Sequence, residues 1–228
     1  MTADLKESLK SGKAFDDWKE VLPYEVQPEY LNRSYKKKMR WLMLALCCSF
    51  VIGNYYCYDN PSSLEIQMET ELNISPTQYG FLYTAYAIPN CVLPLVGGLL
   101  FDKIGTRNGL ILFTIILCAG QGIFMWGGYV NSYNIMLVGR VVFGIGCESM
   151  YVGQSAIVSS WFINFELPLA ISMISCIPLL GSQLNGIVTP RVYSDTGNFG
   201  TTFSIGFYFC LANFVLVCFI YCLDRAAD

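Results

Sequence analysis

The chain has 228 residues, of which 54% are hydrophobic and only 14% are charged, and its net charge at neutral pH is −3. This small charge and the lack of a basic stripe with interleaved aromatic residues exclude nucleic acid as a partner. The sequence contains no histidine, which removes most zinc sites and all histidine-dependent nucleophiles, so we expect no enzyme activity, no metal site and no cofactor.

Residues 1–40 are predicted to form a separate arm before the first apolar run. Lysines and acids are mixed in this arm, which distinguishes it from a transit peptide and from a signal peptide. A short amphipathic helix is predicted at 16–22, and Pro23 and Pro28 end regular structure after it. We expect the arm to dock on a partner or on the membrane surface, with a solvated tail as the alternative.

Six apolar runs follow the arm, and a helix needs about 20 apolar residues to cross a bilayer. Because the runs are continuous and do not alternate in polarity, they predict helices and not the strands of a β-barrel. The predicted spans are Trp41–Tyr58, Tyr79–Phe101, Gly109–Val130, Ile135–Phe162, Leu167–Thr189 and Phe203–Leu223. The sequence therefore predicts an all-α membrane protein, with a six-helix transmembrane domain at 41–223 and a short tail at 224–228.

The basic residues predict the orientation of these spans. Twelve of the 14 lysines and arginines lie before the first span, between spans two and three, or after span six. Because basic residues favour the cytosolic side, both termini are predicted to be cytosolic, or on the matrix side in a mitochondrion. The connection at 60–78 then lies on the opposite side, where the sequon Asn73-Ile74-Ser75 predicts a glycosylated Asn73.

The fourth span is the one predicted span with charges in its interior, Arg140 and Glu148. A charge at the centre of a bilayer costs at least about 2.5–3.5 kcal/mol on insertion scales, so it is kept mainly where it faces a partner or a wet cavity. Glu148 falls near the middle of the span, the depth at which secondary transporters place their sites. We interpret both residues as a candidate substrate or proton site, with a buried structural acid as the alternative for Glu148 and a clamp on backbone carbonyls as the alternative for Arg140.

Polar and aromatic residues of the first two spans are candidates for the same site. An amide in lipid requires a partner, and tyrosines spaced by three residues share a helix face. The candidates are Asn54, Tyr55, Tyr58, Tyr86 and Asn90. For any single tyrosine, packing in the core or at the membrane interface is the alternative. Pro89, next to Asn90, also predicts a local break in span two.

The most specific short pattern lies between spans two and three. It reads Gly98-Leu-Leu-Phe-Asp102-Lys103-Ile-Gly105-Thr106-Arg107 and resembles the signature loop of the major facilitator superfamily, with Thr106 in place of a basic residue. In span four, Arg140-x-x-x-Gly144-x-Gly146 resembles a second motif of that superfamily. Both motifs occur on the spans, and on the side of the membrane, where the superfamily has them.

The loop motif suits a gate, and the resemblance implies that role. Gly98 allows close approach of helices, and Gly105 permits a sharp turn. Asp102 can accept hydrogen bonds at a helix end. Lys103 and Arg107 are expected to hold the loop at anionic lipid headgroups.

A narrower resemblance rests on three segments, Tyr56-Cys57-Tyr58-Asp59-Asn60-Pro61, Gly144-Ile145-Gly146-Cys147-Glu148-Ser149 and Ser160-Trp161-Phe162. They look like the lysosomal branch of the superfamily that exports dipeptides. The similarity runs from Trp41 to Leu223, which corresponds to the family's N-terminal six-helix half. It implies two inverted three-helix repeats, a lysosomal or other endomembrane location, and a Glu148 that meets a substrate amine or a coupling proton.

Two functional hypotheses remain open from the sequence. In the first, the chain is half of a facilitator-type carrier for a small organic solute, such as a peptide or amino acid, with transport coupled to protons. Its open face would then be covered by a second six-helix half, a second copy or other membrane subunits, and by lipid. In the second, the chain is a transport-inactive structural subunit of a larger assembly, such as a respiratory complex of the mitochondrial inner membrane. The Gly98–Arg107 loop and the pair Arg140 and Glu148 favour the first, which is the preferred hypothesis. The uncharged fifth span and the end of the chain after span six favour the second.

Overall fold

The computed structural model describes residues 37–91, 93–162 and 166–227. The helix predicted at 16–22 and nearly all of the arm predicted at 1–40 lie outside these ranges. Within the described part of the chain every regular element is a helix and none is a strand. This confirms the fold class that the continuous apolar runs predict.

The helices follow one another with short connections. In chain order they are α1 (Lys37–Tyr58), a 3-10 turn (Ser62–Leu64), α2 (Glu65–Glu71), α3 (Pro76–Asn90), α4 (Leu93–Ile104), α5 (Thr106–Tyr129), α6 (Tyr133–Trp161), α7 (Leu167–Cys176), α8 (Leu179–Thr196) and α9 (Phe199–Ala227). The start of α3 is set by local chemistry. The Ser75 hydroxyl accepts from the backbone amide of Gln78 while the Gln78 side chain accepts from the Ser75 amide, a capping box that fixes the start of α3.

Five helices in the described residues are long and apolar enough to cross a membrane. They are Met39–Glu71, Thr106–Tyr129, Tyr133–Trp161, Leu167–Thr196 and Phe199–Ala226. The first of these ranges combines α1, the 3-10 turn and α2, and the fourth combines α7 and α8. The second predicted span, Tyr79–Phe101, is divided between α3 with 15 residues and α4 with 12 residues. Neither helix alone has the length of about 20 residues that a span requires. The division falls next to Pro89, where the missing amide donor predicts a break.

The fifth span also differs from its prediction. The sequence predicts an end at Thr189, before Pro190 and Arg191, but α8 continues through Pro190 to Thr196. A proline inside a membrane helix is tolerated where neighbouring helices supply packing and hydrogen bonds. Thr189 supplies one such contact, since its hydroxyl lies 3.1 Å from the Tyr56 hydroxyl of α1.

The helix that carries both membrane charges, α6, lies at the centre of the bundle. It packs against α1, α3, α4, α5 and α7. The approach to α3 is close enough to require glycine, because a Cβ at Gly144 would lie 2.7 Å from the Tyr86 carbonyl oxygen. Phe143, Met150 and Trp161 are fully buried on α6. Arg140 and Glu148 are therefore placed among protein neighbours.

The connection at 60–78 forms an ordered cap at one end of the bundle. Leu64, Met68 and Ile74 are buried there against residues of α3, α5, α6, α8 and α9. The burial of these apolar side chains explains why a segment with a polar composition is nevertheless ordered. The cap covers the end of the bundle at which α1 ends with Tyr58.

Candidate functional site

A cavity of about 250 Å³ lies between α1, α3 and α6. Its lining presents one carboxyl group, one thiol and four phenol rings, from Tyr55, Tyr58, Tyr86, Cys147, Glu148 and Tyr151. Glu148 is half-buried, so its carboxyl group reaches the cavity from the middle of α6. The tertiary structure thus brings together Glu148 and three of the predicted tyrosines, which the sequence distributes over three spans.

The carboxyl group of Glu148 is held by a phenol. Tyr86 Oη donates a hydrogen bond of 2.7 Å to Glu148 Oε1. The Tyr86 ring is in turn packed edge-on against the Tyr58 ring, with centroids 4.9 Å apart. A carboxylate offers two oxygens and about four lone-pair sites, so Glu148 can accept from a donor in the cavity while it remains bonded to Tyr86.

Tyr151 and Cys147 line the cavity but are absent from the predicted site. Tyr151 follows Glu148 by three residues on α6 and therefore shares its face. Its ring packs against Tyr55 at a centroid distance of 5.9 Å. The spacing from Glu148 is the sequence signal that identifies Tyr151. Cys147 precedes Glu148 directly, and no comparable signal separates it from the other cysteines of the spans.

Arg140 lies outside the cavity lining and is 2% exposed. Its Nη2 donates 2.9 Å to the Tyr58 carbonyl oxygen, and its Nη1 donates 3.4 Å to that of Cys57. The guanidinium carbon also lies 4.7 Å from the centroid of the Phe124 ring, a distance at which a cation interacts with an aromatic face. This geometry corresponds to the clamp on backbone carbonyls, the alternative that the sequence leaves open.

The two predicted amides lie apart from the cavity lining. Asn54 is fully buried between α1 and α9, where its Oδ1 accepts a 3.0 Å hydrogen bond from Asn213 Nδ2. Asn90 ends α3, and its Oδ1 is a buried atom with no hydrogen-bond partner among the described residues. The structure does not bring either amide to Glu148.

The predicted gating loop connects α4 and α5. Gly105 has a φ of +82°, a conformation that glycine adopts without strain. Asp102 and Lys103 are exposed near the end of α4, and Gly98 is half-buried on the same helix. The close approach predicted at Gly98 is not found among the described helices, because a Cβ there would have no neighbour within 4 Å. Both charged residues therefore lie at the surface of the described part of the chain, next to the turn at Gly105.

Arg107 is held by the end of α9. Its Nε donates to Asp224 Oδ2, and its Nη2 donates 3.1 Å to the Asp224 carbonyl oxygen. Trp161 Nε1, at the end of α6, donates 2.7 Å to Asp224 Oδ1. Asp224 is 3% exposed and joins the starts or ends of three helices. It lies just outside the predicted sixth span, so sequence reasoning about charges inside spans misses it.

Asn73, the predicted glycosylation site, is exposed in the turn between α2 and α3. Its φ is +50°, a left-handed conformation that asparagine adopts more readily than most residues. The side chain amide is therefore accessible at the surface of the cap.

Comparison with known proteins identifies the family. The chain matches the family model of the Major Facilitator Superfamily over residues 42–227. It is 36% identical over 199 residues to the lysosomal dipeptide transporter MFSD1 of Bos taurus, an alignment that covers 83% of this chain and 42% of that protein. The corresponding protein of Homo sapiens is 35% identical over 199 residues, with 83% and 43% covered. The hexuronate transporter of Escherichia coli (strain K12) is 25% identical over 154 residues, with 68% and 34% covered.

Solved structures agree at the level of the fold. The auto-inhibited POT family peptide transporter superposes with a TM-score of 0.65 at 15% identity, covering 78% of this chain and 37% of that one. The POT family transporter PepTSo superposes with a TM-score of 0.66 at 15% identity and the same coverage. The curated relatives are transporters and not enzymes, as the sequence predicts for this chain. The chain spans less than half the length of these relatives, and it is an integral membrane protein that belongs to the major facilitator superfamily.

Proposed function

We propose that the chain forms half of a carrier for a small amine-bearing organic solute, such as a short peptide, and that Glu148 binds the amine or the coupling proton. The cavity around Glu148 supports this proposal most directly. A carboxyl group surrounded by four phenol rings is suited to an ammonium group, because the carboxylate supplies charge and each ring presents a negative face to a cation. The relatives named as dipeptide transporters support the peptide as the substrate class.

The coupling role follows from the two states of the carboxyl group. A protonated Glu148 can donate a hydrogen bond, whereas an ionised Glu148 only accepts. An arriving ammonium group favours the ionised form, so binding displaces the proton from the same atom. Substrate and proton then exclude each other at Glu148, and transport of one is linked to movement of the other.

The whole carrier requires a second six-helix unit over the open face, because alternating access moves one repeat bundle against another. That unit is a separate chain, a second copy or further polypeptide. The partial coverage of the MFSD1 relatives supports this requirement. The lysosomal membrane is the proposed location, on the support of the same relatives. Neither the structural subunit of a respiratory complex nor the mitochondrial inner membrane receives support from the comparisons.

Uptake by sealed vesicles tests the proposal. The protein, purified with the partners that accompany it, is reconstituted, and uptake of the dipeptide dialanine is measured with and without an imposed pH gradient. We expect Glu148→Gln to abolish gradient-driven uptake, because the amide can neither take up the proton nor attract the amine. Tyr86→Phe should reduce uptake about tenfold, since a hydrogen bond to a charged group is worth about 1.5–3 kcal/mol.

Glu65→Gln serves as the control, because Glu65 is exposed at the start of α2. It removes the same charge from the same protein without touching the cavity, so uptake should stay at the wild-type level. Equal uptake by the wild-type protein and Glu148→Gln contradicts the role of Glu148. A wild-type protein that takes up neither dialanine nor a free amino acid contradicts the carrier.

A further inference from the structure

Arg140 caps the end of α1. This helix ends at Tyr58, and the last carbonyl groups of a helix have no partner within it. Arg140 Nη2 and Nη1 reach the carbonyl oxygens of Tyr58 and Cys57 at 2.9 and 3.4 Å. A cation at the C-terminal end of a helix is also favoured by the helix dipole. Arg140 therefore supplies a hydrogen bond from α6 to the Tyr58 carbonyl group, whereas the Cys57 carbonyl group also accepts 3.3 Å from the Asn60 amide.

Tyr58 connects this cap to the cavity. Its ring packs edge-on against the Tyr86 ring, with centroids 4.9 Å apart and planes at 63°. Tyr86 Oη donates 2.7 Å to Glu148 Oε1. Gly144 packs against both the main chain and the ring of Tyr86, and the Phe143 ring centroid lies 6.1 Å from that of Tyr86. Tyr58 completes the contacts that orient the Tyr86 ring. A continuous set of contacts thus runs from the guanidinium group to the carboxyl group.

The guanidinium group is itself fixed from the other side. It lies 4.7 Å from the Phe124 ring centroid and 5.7 Å from that of Tyr83, and the whole residue is 2% exposed. Arg140 and Glu148 are eight residues apart on α6, about 12 Å along a helix. The two charges are too far apart for direct contact on a straight helix, and the contacts through Tyr58 and Tyr86 connect them instead.

We propose that Arg140 is a positioning residue for Glu148, acting through the end of α1 and the Tyr58–Tyr86 ring pair, and that it does not bind the solute. The proposal rests on the proposed function in one respect, the role of Glu148 in binding. It gives a physical reason for a second charge inside the membrane, because a guanidinium group donates to the two carbonyl groups from two separate nitrogens of one rigid plane, whereas a neutral amide has a single donor nitrogen.

The matched control is Gln154 on the same helix. Gln154 is 1% exposed, and its Nε2 donates 2.8 Å to the Cys47 carbonyl oxygen of α1. Gln154→Leu and Arg140→Gln therefore both remove or weaken a buried hydrogen bond from α6 to a carbonyl group of α1. The two differ because Arg140 binds Tyr58, whose ring contacts Tyr86.

The primary measurement is the rate at which an apolar carbodiimide modifies Glu148, followed by mass spectrometry of the purified protein. This rate reports the environment of the carboxyl group and requires no substrate. We expect Arg140→Gln to change the rate about tenfold, an energy within the range found for residues coupled through contacts. Gln154→Leu should leave it within about twofold of the wild-type rate while lowering thermal stability by an amount typical of a buried hydrogen bond.

Tyr58 variants test the route. Tyr58→Phe keeps the ring and Tyr58→Leu removes it, so Arg140→Gln should retain its effect in the first background and lose it in the second. Persistence of the effect in Tyr58→Leu, or an equal effect of Gln154→Leu, overturns the proposal. If Arg140→Gln does not accumulate in membranes, Arg140→Lys takes its place, because lysine keeps the charge but has a single donor nitrogen and lacks the planar fork that reaches both carbonyl groups. A carbodiimide rate for Arg140→Lys within about twofold of the wild-type rate then overturns the proposal.

Dialanine uptake by the same variants separates this inference from the proposed function. A positioning role predicts that Arg140→Gln raises the KM for dialanine about tenfold and that Tyr58→Leu does the same. If the wild-type protein takes up no dialanine, the proposed function fails. The carbodiimide rates still decide whether Arg140 positions Glu148.

Discussion

Asp102 and Asp224 carry the same charge near the same loop, but they have different surroundings. Asp102 is exposed at the end of α4. Asp224 is 3% exposed and accepts from Arg107 and Trp161. Burial decides what each charge contributes, because an exposed carboxylate interacts mainly with water whereas a buried one depends on its donors. The two residues should therefore respond differently to the same substitution.

We predict that Asp224→Asn lowers the free energy of unfolding by about 1–3 kcal/mol, since Arg107 and Trp161 lose a charged acceptor. Asp102→Asn should cost at most about 1 kcal/mol, the usual value for an exposed carboxylate near a helix end. If the loop acts as a gate, Asp102→Asn should nevertheless change the turnover of dialanine. Thermal unfolding in detergent and uptake by vesicles measure the two effects.

These measurements decide the roles of Asp102 and Asp224. Equal loss of thermal stability in both variants contradicts the contrast between Asp102 and Asp224. Unchanged turnover in Asp102→Asn assigns the exposed part of the loop a packing role and removes it from gating. Arg225→Gln is the control for charge at the membrane surface, because Arg225 is exposed near the end of α9 and lies outside the loop.

At the scale of elements, the turn between α2 and α3 combines a glycosylation sequon with a helix cap. Ser75 belongs to both, as the third residue of the sequon and as the N-cap of α3. Asn73 is exposed beside it. A hydroxyl at position 75 is therefore required for two separate reasons, and substitutions can distinguish them.

We predict that the protein made in cells with a secretory pathway carries a glycan on Asn73, and that Asn73→Gln and Ser75→Ala both remove it. Ser75→Thr should keep both glycan and cap. Ser75→Ala should also lower stability by about 1 kcal/mol, the usual cost of losing an N-cap. Electrophoretic mobility before and after treatment with an N-glycosidase measures the glycan, and identical mobility of wild type and Asn73→Gln contradicts the prediction.

Elements also show where local reasoning is insufficient. The apolar runs predict α1, α5, α6 and α9 closely, because hydropathy alone specifies a helix in lipid. Span two instead divides after Asn90, one residue past Pro89, which still lies inside α3, and α8 runs six residues past Pro190. A proline in the sequence therefore does not by itself fix where a helix ends. Whether a helix continues past a proline depends on neighbours that replace the lost hydrogen bond, and neighbours are not readable from the local sequence.

At the scale of the whole molecule, the orientation in the membrane remains a prediction from the basic residues. It places Thr70 of α2 on the side opposite the C-terminal residues. Thr70 and Ala226 are both exposed. A reagent that does not cross membranes can therefore reach a cysteine at either position from one side.

In sealed vesicles with the cytosolic face outward, we expect Ala226→Cys to react with an impermeant maleimide at once. Thr70→Cys should react only after the membrane is permeabilised. The signal is measured above that of the unsubstituted protein, whose own cysteines provide the background. Reaction of both positions from the same side contradicts the predicted orientation and, with it, the predicted glycosylation of Asn73.

The sequence by itself determined the class of the protein, most of its membrane-spanning helices and its family. Hydropathy and the Gly98–Arg107 loop are properties of contiguous residues, so they are visible without a fold. It also singled out Glu148 and three of the cavity tyrosines, because charge and aromatic rings are conspicuous inside apolar runs. Tertiary structure decided which candidates meet. Asn54 pairs with Asn213 and Arg140 caps α1, whereas Tyr151 joins the cavity. These outcomes depend on how helices rotate and cross, which is set by packing between segments distant in sequence.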